Sequence, residues 1–194
     1  MDTSPMFLYD LAWAMLKTAT VERRKPCHLA NVATIGLDGR PKVRTVVLRD
    51  ADISNHTIRF HTDARSQKVE ELAANANIET HFYDQPANIQ IRVSGVATIQ
   101  ATDQPIAQQA WRKAQAMSKV CYRLDAGPGS TIESGDAYGY LAYEKDEADP
   151  GEQQFRTVII NVDRLEVVIL KVDANRRAIF EIKDGKVDGR WVVP

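Results

Sequence analysis

The sequence predicts an α+β fold that is mainly β, an antiparallel β-barrel with flanking helices. Strand-like segments crowd together along the chain, and turn signals containing Gly or Pro separate several of them. Helical periodicity is confined to a few separate stretches. With 194 residues and no internal repeat, the chain is expected to form a single domain over residues 1–194.

The N-terminal segment is predicted to be a helix that begins at Ser4 and Pro5, a hydroxyl cap followed by proline at the first helical position. Apolar residues then recur at helical spacing and predict its buried face: Phe7, Leu8, Leu11, Met15 and Leu16. Two strands are expected at residues 29–34 and 42–49, joined at Asp38-Gly39, a strong hairpin signal.

A short strand at residues 57–61 is expected to lead into a helix over residues 66–75, with Ser66 as a possible cap. A hairpin then follows, with strands at residues 78–83 and 88–100. In the second strand an apolar set alternates with a polar set, which predicts one face in the core and one in a polar setting: Ile89, Ile91 and Val93 against Gln90, Arg92 and Ser94.

The C-terminal half is predicted to begin with a helix over residues 103–117, followed by a Gly- and Pro-rich loop at 125–135. Within that loop, residues 127–130 resemble a phosphate-binding loop only superficially, because proline removes a donor N–H. Four further strands complete the expected barrel, at residues 155–161, 165–170, 177–182 and 186–193.

Composition excludes several classes of function. The formal net charge is −1, from 25 basic and 26 acidic residues that are well mixed, which argues against a nucleic-acid partner. Two cysteines without CxxC spacing, and four histidines without HxxxH or HExxH spacing, predict no disulfide framework and no metal site. The sequence shows no signal peptide and no apolar run of the ~20 residues that span a bilayer, so no membrane partner and a cytoplasmic location are expected.

One region concentrates groups that bind anions. Arg44 and Arg49 lie on one predicted strand, and alternation along a strand points them to opposite faces unless a bulge intervenes. A strand end and helix start then supply Thr62, Arg65, Ser66 and Lys68. A helix N-terminus with added cations is a suitable pocket for a phosphate dianion, which would also stabilise a cation in the first helical turn.

The order of these residues resembles the pyridoxamine 5′-phosphate oxidase family of flavin mononucleotide (FMN)-binding split barrels. The matching elements lie within residues 28–100: Ala33-Thr34, Asp38-Gly39-Arg40-Pro41, the strand from Arg44 to Arg49, Phe60-His61-Thr62, Ser66-Gln67-Lys68, and Gln90 ahead of Val93-Ser94-Gly95. A weaker match lies in the C-terminal strands of residues 155–194, at Asn175-Arg176-Arg177 and Trp191-Val192-Val193-Pro194.

The resemblance implies an antiparallel FMN-binding split β-barrel and assigns site residues. The implied cofactor-binding set is Arg44, Thr45, Val46, Val47, Leu48, Arg49, His61, Thr62, Arg65, Ser66, Gln67, Lys68 and Gln90. In this assignment Arg44 contacts the flavin phosphate and Gln90 hydrogen-bonds the isoalloxazine ring. The implied substrate-binding residues are Arg49, Arg176 and Arg177. The family also implies a homodimer with FMN at the subunit interface.

The chain departs from the family pattern at three places. Gln67 stands where Arg is common, and Arg65, two residues earlier, is the candidate to supply that guanidinium. The oxidase members carry an Arg-x-His element where this chain has Arg176-Arg177-Ala178, and a flavin-stacking Trp where it has residues 167–169, all aliphatic. The missing histidine and tryptophan argue against vitamin B6 specificity and favour a flavin-binding protein without turnover.

Two functions are therefore expected as alternatives. The first is an FMN-dependent oxidoreductase that transfers a hydride from a small-molecule substrate to the flavin, which needs no acid–base pair, so no catalytic side chain is named. The second is a non-catalytic protein that binds FMN, heme or a deazaflavin in stress response or sequestration. The set of Arg44, Lys68 and Gln90 favours FMN over heme.

Overall fold

A computed structural model of the chain describes residues 4–143, 148–172 and 174–194. Its strands are β1 (Leu29–Ile35), β2 (Pro41–Asp52), β3 (Thr57–Asp63), β4 (Asn77–Asp84), β5 (Ile89–Ala101), β6 (Phe155–Ile169), β7 (Arg176–Lys183) and β8 (Lys186–Val192). Its α-helices are α1 (Met6–Val21), α2 (Gln67–Ala74), α3 (Pro105–Lys113) and α4 (Ala116–Lys119), with 3-10 turns at Pro26–His28, Val120–Arg123 and Pro150–Gln154. In the described part of the chain, no helix combines the length and apolarity that a membrane span needs.

The strands form one antiparallel sheet in the order β3-β2-β1-β4-β5-β6-β7-β8. A further pairing of β3 with β6 closes the first six of these into a barrel, and β7 and β8 continue the sheet beyond it. The predicted mainly β antiparallel barrel with flanking helices is confirmed. The hairpin signal at Asp38-Gly39 is also confirmed, since Gly39 has a φ of 74° in the turn between β1 and β2.

The core fills the barrel because side chains alternate between its two faces. On β5, Ile89, Ile91 and Val93 are buried while Arg92 is exposed, as the sequence pattern predicts. Helix α1 joins the same core through Leu8, Trp13 and Leu16. Residues that point away from this core lie on what we call the outer face of the sheet.

The predicted face of α1 is wrong at two positions. Phe7 and Leu11 are 44% and 37% exposed, and the buried side includes Tyr9 and Trp13 instead. Tyr9 packs against Phe180 with their ring centroids 5.3 Å apart. Apolar residues lie on most sides of this helix, so periodicity alone could not determine that the side with Tyr9 and Trp13 would be the buried one.

The helix predicted over residues 103–117 is interrupted. It begins at Pro105 and ends at Lys113, because Ala114 and Gln115 are extended, and a second helix starts at Ala116. The interruption lets Trp111 pack against Tyr122 and Phe155, with ring centroids 5.9 and 5.3 Å away, in a small second core on the outer face of β3 and β6.

The two strands predicted at residues 155–161 and 165–170 are one strand, β6. Where a break was expected, the register against β5 shifts, because Ser94 pairs with Arg164 and Gly95 pairs with Val162. Asp163 is the extra residue of this bulge. A Cβ added at Gly95 would lie 2.1 Å from the Asn161 carbonyl oxygen, so glycine permits the close approach that keeps β6 continuous.

Candidate cofactor site

The first turn of α2 holds a half-buried cation, Lys68. Its Nζ donates to Thr62 Oγ1 at 3.1 Å and to Ser66 Oγ at 2.5 Å. Burial lowers the pKa of this ammonium group, and the charge of Arg44 lowers it further, while Glu71 and Asp63 oppose the change. No salt bridge within the described residues includes Lys68, so hydroxyl oxygens hold its charge. Ser66 uses its hydroxyl for this contact and not for the cap predicted from the sequence.

Arg44 lies beside this group but is already paired. Its Nη2 donates to Glu71 Oε2 at 2.6 Å, and the Thr34 hydroxyl donates to the same carboxylate oxygen at 2.5 Å. Glu71 is fully buried at the end of the barrel, and its Oε1 has no hydrogen-bond partner in the described part of the chain. Sequence reasoning missed Glu71, since a helical glutamate is ordinarily solvated and nothing in its spacing indicates burial.

This donor set fits a phosphate monoester. Glu71 neutralises Arg44, so the uncompensated positive charge of the group resides on Lys68. A dianion would oppose the burial cost of that ammonium group and could accept from the hydroxyls of Thr62 and Ser66. The structure therefore brings together four residues of the predicted phosphate pocket: Arg44, Thr62, Ser66 and Lys68.

The structure gives Arg65 and Gln67 other surroundings. Arg65 makes a two-point ion pair with Asp63, with donor distances of 3.0 and 2.8 Å, and donates to the Leu124 carbonyl at 2.9 Å. Its guanidinium thus fixes the 124–127 segment to the end of β3, and this geometry does not support the suggestion that it replaces an Arg at position 67. Gln67 is exposed at the start of α2.

Residues 45–49 divide between the two faces of β2. Val46 and Leu48 point into the barrel core, whereas Thr45 is on the outer face and donates to Asn31 Oδ1 at 3.0 Å. Val47 is half-buried opposite Leu29. The register against β3 shifts between Leu48 and Asp50, so Arg49 is the extra residue of a bulge. Arg49 nevertheless lies on the outer face, opposite to Arg44, as alternation predicted.

Arg49 lines a cavity of about 240 Å³ on the outer face, between the C-terminal end of α1, the end of α3 and strand β3. The other cations that line it are Arg23, Arg59 and Lys113. Sequence reasoning did not single out these three. Only Arg59 carried a signal, since it alternates with the buried Ile58 and Phe60 and so shares a face with His61.

His61 enters the same cavity as a neutral group. Its ring lies 4.7 Å from that of Phe155, and its Nε2 is buried without a hydrogen-bond partner among the described residues. Burial lowers the pKa of His61 to about 3, with smaller contributions from the charges of Arg49 and Arg59. The cavity therefore combines several positive charges with one uncharged imidazole.

Gln90 belongs to a different surface. It pairs with Val168 on β6, and Val168 pairs with Arg177 on β7, so the three form one row on the outer face. The Arg177 Nε is buried and has no hydrogen-bond partner among the described residues. Arg176 is exposed at the start of β7 and alternates to the opposite side, so only Arg177 joins the row.

The residues of the predicted phosphate pocket and the Gln90 row lie on opposite faces of the barrel wall. Arg44 shares the inner face of β2 with the core residues Val46 and Leu48, whereas Gln90 alternates with the core residues Ile89 and Ile91. Within one chain these two sets of predicted flavin ligands do not converge.

The fold and this arrangement define a class of protein. Two solved structures match the whole chain in fold: a pyridoxamine 5′-phosphate oxidase-related, FMN-binding protein from Nostoc punctiforme (20% identical, covering 100% of both chains, TM-score 0.77) and PhzG from Burkholderia lata in complex with tetrahydrophenazine-1-carboxylic acid (18% identical, covering 99% of this chain and 93% of that one, TM-score 0.66). The fold is thus the split β-barrel that these two structures share.

Sequence comparison finds one family model and several curated relatives that resemble this chain. Residues 11–101, just under half of the chain, match the family model described as pyridoxamine 5′-phosphate oxidase, FMN-binding domain. A pyridoxine/pyridoxamine 5′-phosphate oxidase 2 of Arabidopsis thaliana is 29% identical over 87% of each chain. Other curated oxidases of this name match more closely over shorter stretches, and the match spans less than half of their length. The resemblance to the pyridoxamine 5′-phosphate oxidase family that was predicted from the sequence is thus confirmed over residues 11–101.

Proposed function

We propose that this protein is an FMN-dependent oxidoreductase that oxidises a small anionic substrate. The observation that carries the proposal is the half-buried Lys68, held by two hydroxyls in the first turn of α2 and beside Arg44. An ammonium group in this position is most stable with a phosphate bound. When bound, the flavin supplies the redox chemistry, accepting a hydride from the substrate and passing electrons to oxygen or another acceptor.

The side chains of this protein would bind and orient the flavin and the substrate. Lys68, Thr62, Ser66 and Arg44 hold the phosphate, while Gln90 and Arg177 supply hydrogen bonds to the ring. Arg49 holds an anionic group of the substrate in the neighbouring cavity, where Arg23, Arg59 and Lys113 add positive charge. Phe155 and Tyr122 give that cavity its apolar side, which reduces the access of water.

We further propose that the active form is a homodimer with FMN at the interface. The two sets of flavin ligands lie on opposite faces of the wall, so one FMN can reach both only if a second chain supplies one set. The outer face of β1, β2 and β4 also carries exposed apolar side chains suited to an interface: Leu29, Ile35, Val43 and Tyr83.

One observation favours the alternative of an FMN-binding protein without turnover. The row beside Gln90 contains the aliphatic Val168, and the next residue after Arg177 is the buried Ala178. The stacking tryptophan and the histidine of the oxidase pattern are therefore missing at these positions, and the aromatic residue beside Gln90 is Tyr83 on β4. Under this alternative the same Lys68 group binds FMN, and the protein sequesters it. The cytoplasmic location expected from the sequence stays a prediction under both alternatives.

An absorption spectrum of the purified protein, before and after FMN is added, tests the cofactor. A flavin spectrum at one per chain supports the proposal, whereas a heme or deazaflavin spectrum, or a colourless protein that does not bind FMN, contradicts it. Anaerobic mixing with pyridoxamine 5′-phosphate and with a dihydroaromatic carboxylate, each of which can donate a hydride, then tests turnover. Bleaching of the flavin by either compound identifies an oxidoreductase, and a flavin that neither compound reduces favours the alternative.

A further inference from the structure

Glu166 is a buried carboxylate on the outer face of the sheet. Its side chain is 3% exposed, whereas the side chains of Arg92, Arg164 and Arg177 around it are partly exposed. Its Oε2 accepts hydrogen bonds at 3.0 Å from both Arg92 on β5 and Arg177 on β7, and Arg164 lies 3.7 Å away. Three guanidinium groups therefore surround one carboxylate.

This arrangement fixes the position of Arg177. The register places Arg177 two strands away from Gln90, with only Val168 between them. Because the Nη2 of Arg177 is bound to Glu166, the plane of its guanidinium has a fixed direction, and its buried Nε–H remains without a partner in the described residues. A buried N–H without a partner is costly, so a ligand acceptor at this position would be favoured.

We propose that Glu166 is a positioning residue, which acts on the bound ligand through Arg177. Glu166 holds Arg177 so that its free N–H faces the row that contains Gln90, and Arg177 donates to the polar edge of the flavin ring there. Arg92 completes the support by binding the same carboxylate oxygen from the other side. The inference rests on the proposed function, because it takes the Gln90 row as the ring surface.

The test is a double-mutant cycle of Glu166→Gln and Arg177→Gln, with affinities measured by fluorescence titration. Each single variant should weaken FMN binding by about ten- to a hundredfold, the usual worth of one charge-assisted hydrogen bond. The double variant should be no weaker than Arg177→Gln alone, because Glu166 acts through Arg177. Riboflavin should lose affinity by the same factor as FMN, since the contact is to the ring and not to the phosphate.

Glu181→Gln is the matched control. Glu181 also accepts from two guanidinium groups on the same face, Arg164 at 2.8 Å and Arg190 at 3.2 Å, but it lies outside the Gln90 row. Its variant should keep FMN affinity within about twofold of the wild type. The mass of each variant in solution, measured alongside, separates a loss of dimer from a loss of the ring contact.

The outcomes separate this inference from the proposed function. Additive losses in the cycle, or a Glu166→Gln variant that binds FMN like Glu181→Gln, overturn the positioning role alone. A wild-type protein that does not bind FMN overturns both proposals. If Glu166→Gln does not fold, Arg177→Gln decides the matter, since it removes a partly exposed side chain, and unchanged FMN and riboflavin affinity in that variant overturns the inference.

Discussion

Arg44 and Glu71 form a 2.6 Å ion pair at the end of the barrel, and no part of the Glu71 side chain is exposed. The pair joins strand β2 to helix α2, which carries Lys68. It therefore gives Arg44 a structural role in addition to any contact with phosphate. Arg44 and Lys68, the two basic residues of the predicted phosphate pocket, are therefore expected to respond differently to substitution: Arg44 through stability and Lys68 through FMN affinity.

Arg44→Ala should destabilise the protein. The substitution leaves the buried Glu71 carboxylate with only the Thr34 hydroxyl, and the expected loss in the free energy of unfolding is about 3 kcal/mol, near the lower end for a broken buried pair. Urea denaturation measures this loss. Lys42→Ala is the control, because Lys42 pairs with Asp38 at the surface and should cost less than about 1 kcal/mol. Equal losses in the two variants would show that the pair of Arg44 with Glu71 contributes no more to stability than a surface pair.

Lys68→Ala should weaken FMN binding without unfolding the protein. The loss of one charge-assisted contact to phosphate corresponds to ~1.5–3 kcal/mol of binding free energy. Riboflavin, which lacks the phosphate, should bind the variant and the wild type equally well. The control is Lys186→Ala, which removes an exposed lysine at the start of β8, outside the proposed site. If Lys68→Ala lowers riboflavin and FMN affinity alike, the phosphate assignment is wrong.

His61 should make the stability of the protein depend on acid. Its folded-state pKa is about 3 and its ordinary value is 6.5, so the unfolded chain binds more protons between these two pH values. The free energy of unfolding contributed by His61 is therefore fully present above the ordinary value, and it falls with decreasing pH by up to ~1.4 kcal/mol per pH unit. Chemical denaturation at several pH values should show a smaller decline for His61→Gln. Parallel pH profiles for the two proteins would contradict the burial of a neutral imidazole.

Val43→Asp should break the proposed dimer. Val43 is 67% exposed on the outer face of β2, and a carboxylate at a twofold interface would be desolvated without a partner. Sedimentation should give twice 21.7 kDa for the wild type and 21.7 kDa for the variant, which should also lose FMN. Val21→Asp, an exposed position at the end of α1, should leave the dimer intact. A wild-type monomer that binds FMN tightly would exclude the interface site.

Gly95→Ala should distort the bulge between β5 and β6. The added methyl would meet the Asn161 carbonyl, and the expected cost is at least ~2 kcal/mol, because both contacting strands lie within the closed barrel. Gly135→Ala is the matched control, since a Cβ at that position meets no atom within 4 Å. The melting temperatures of the two variants measure the difference, and equal values would show that the bulge can relax.

Most of the fold could be predicted from period-two alternation and turn residues. The sequence indicates β5 and its neighbours because Ile89, Ile91 and Val93 alternate with polar residues, and this alternation follows directly from strand geometry. The alternation does not indicate that residues 155–169 form one strand. That strand is continuous because Gly95, on the neighbouring strand β5, leaves room for the bulge. The break in the helix after Lys113 likewise could not be predicted, because it accompanies the packing of Trp111 against Tyr122 and Phe155, which lie beyond this helix in the sequence.

The candidate site divides in the same way. The grouping of Lys68 with Thr62 and Ser66 follows from their closeness in sequence at the start of one helix. The partners Glu71 and Glu166 could not be predicted, because each is buried by residues from distant strands. The Leu124 carbonyl, which binds the Arg65 guanidinium beside Asp63, is also distant in sequence and could not be predicted either.

Strand β6 hydrogen-bonds with β3, β5 and β7, and its pairing with β3 brings His61 opposite Thr157. Contacts between residues so far apart in sequence form late and slow the folding of β proteins. During translation, a nascent chain that ends before residue 155 can form only the sheet β3-β2-β1-β4-β5, with β3 and β5 as bare edges. Such edges pair readily with other chains. Ribosome-bound intermediates of this protein are therefore expected to need chaperone protection until β6 has emerged.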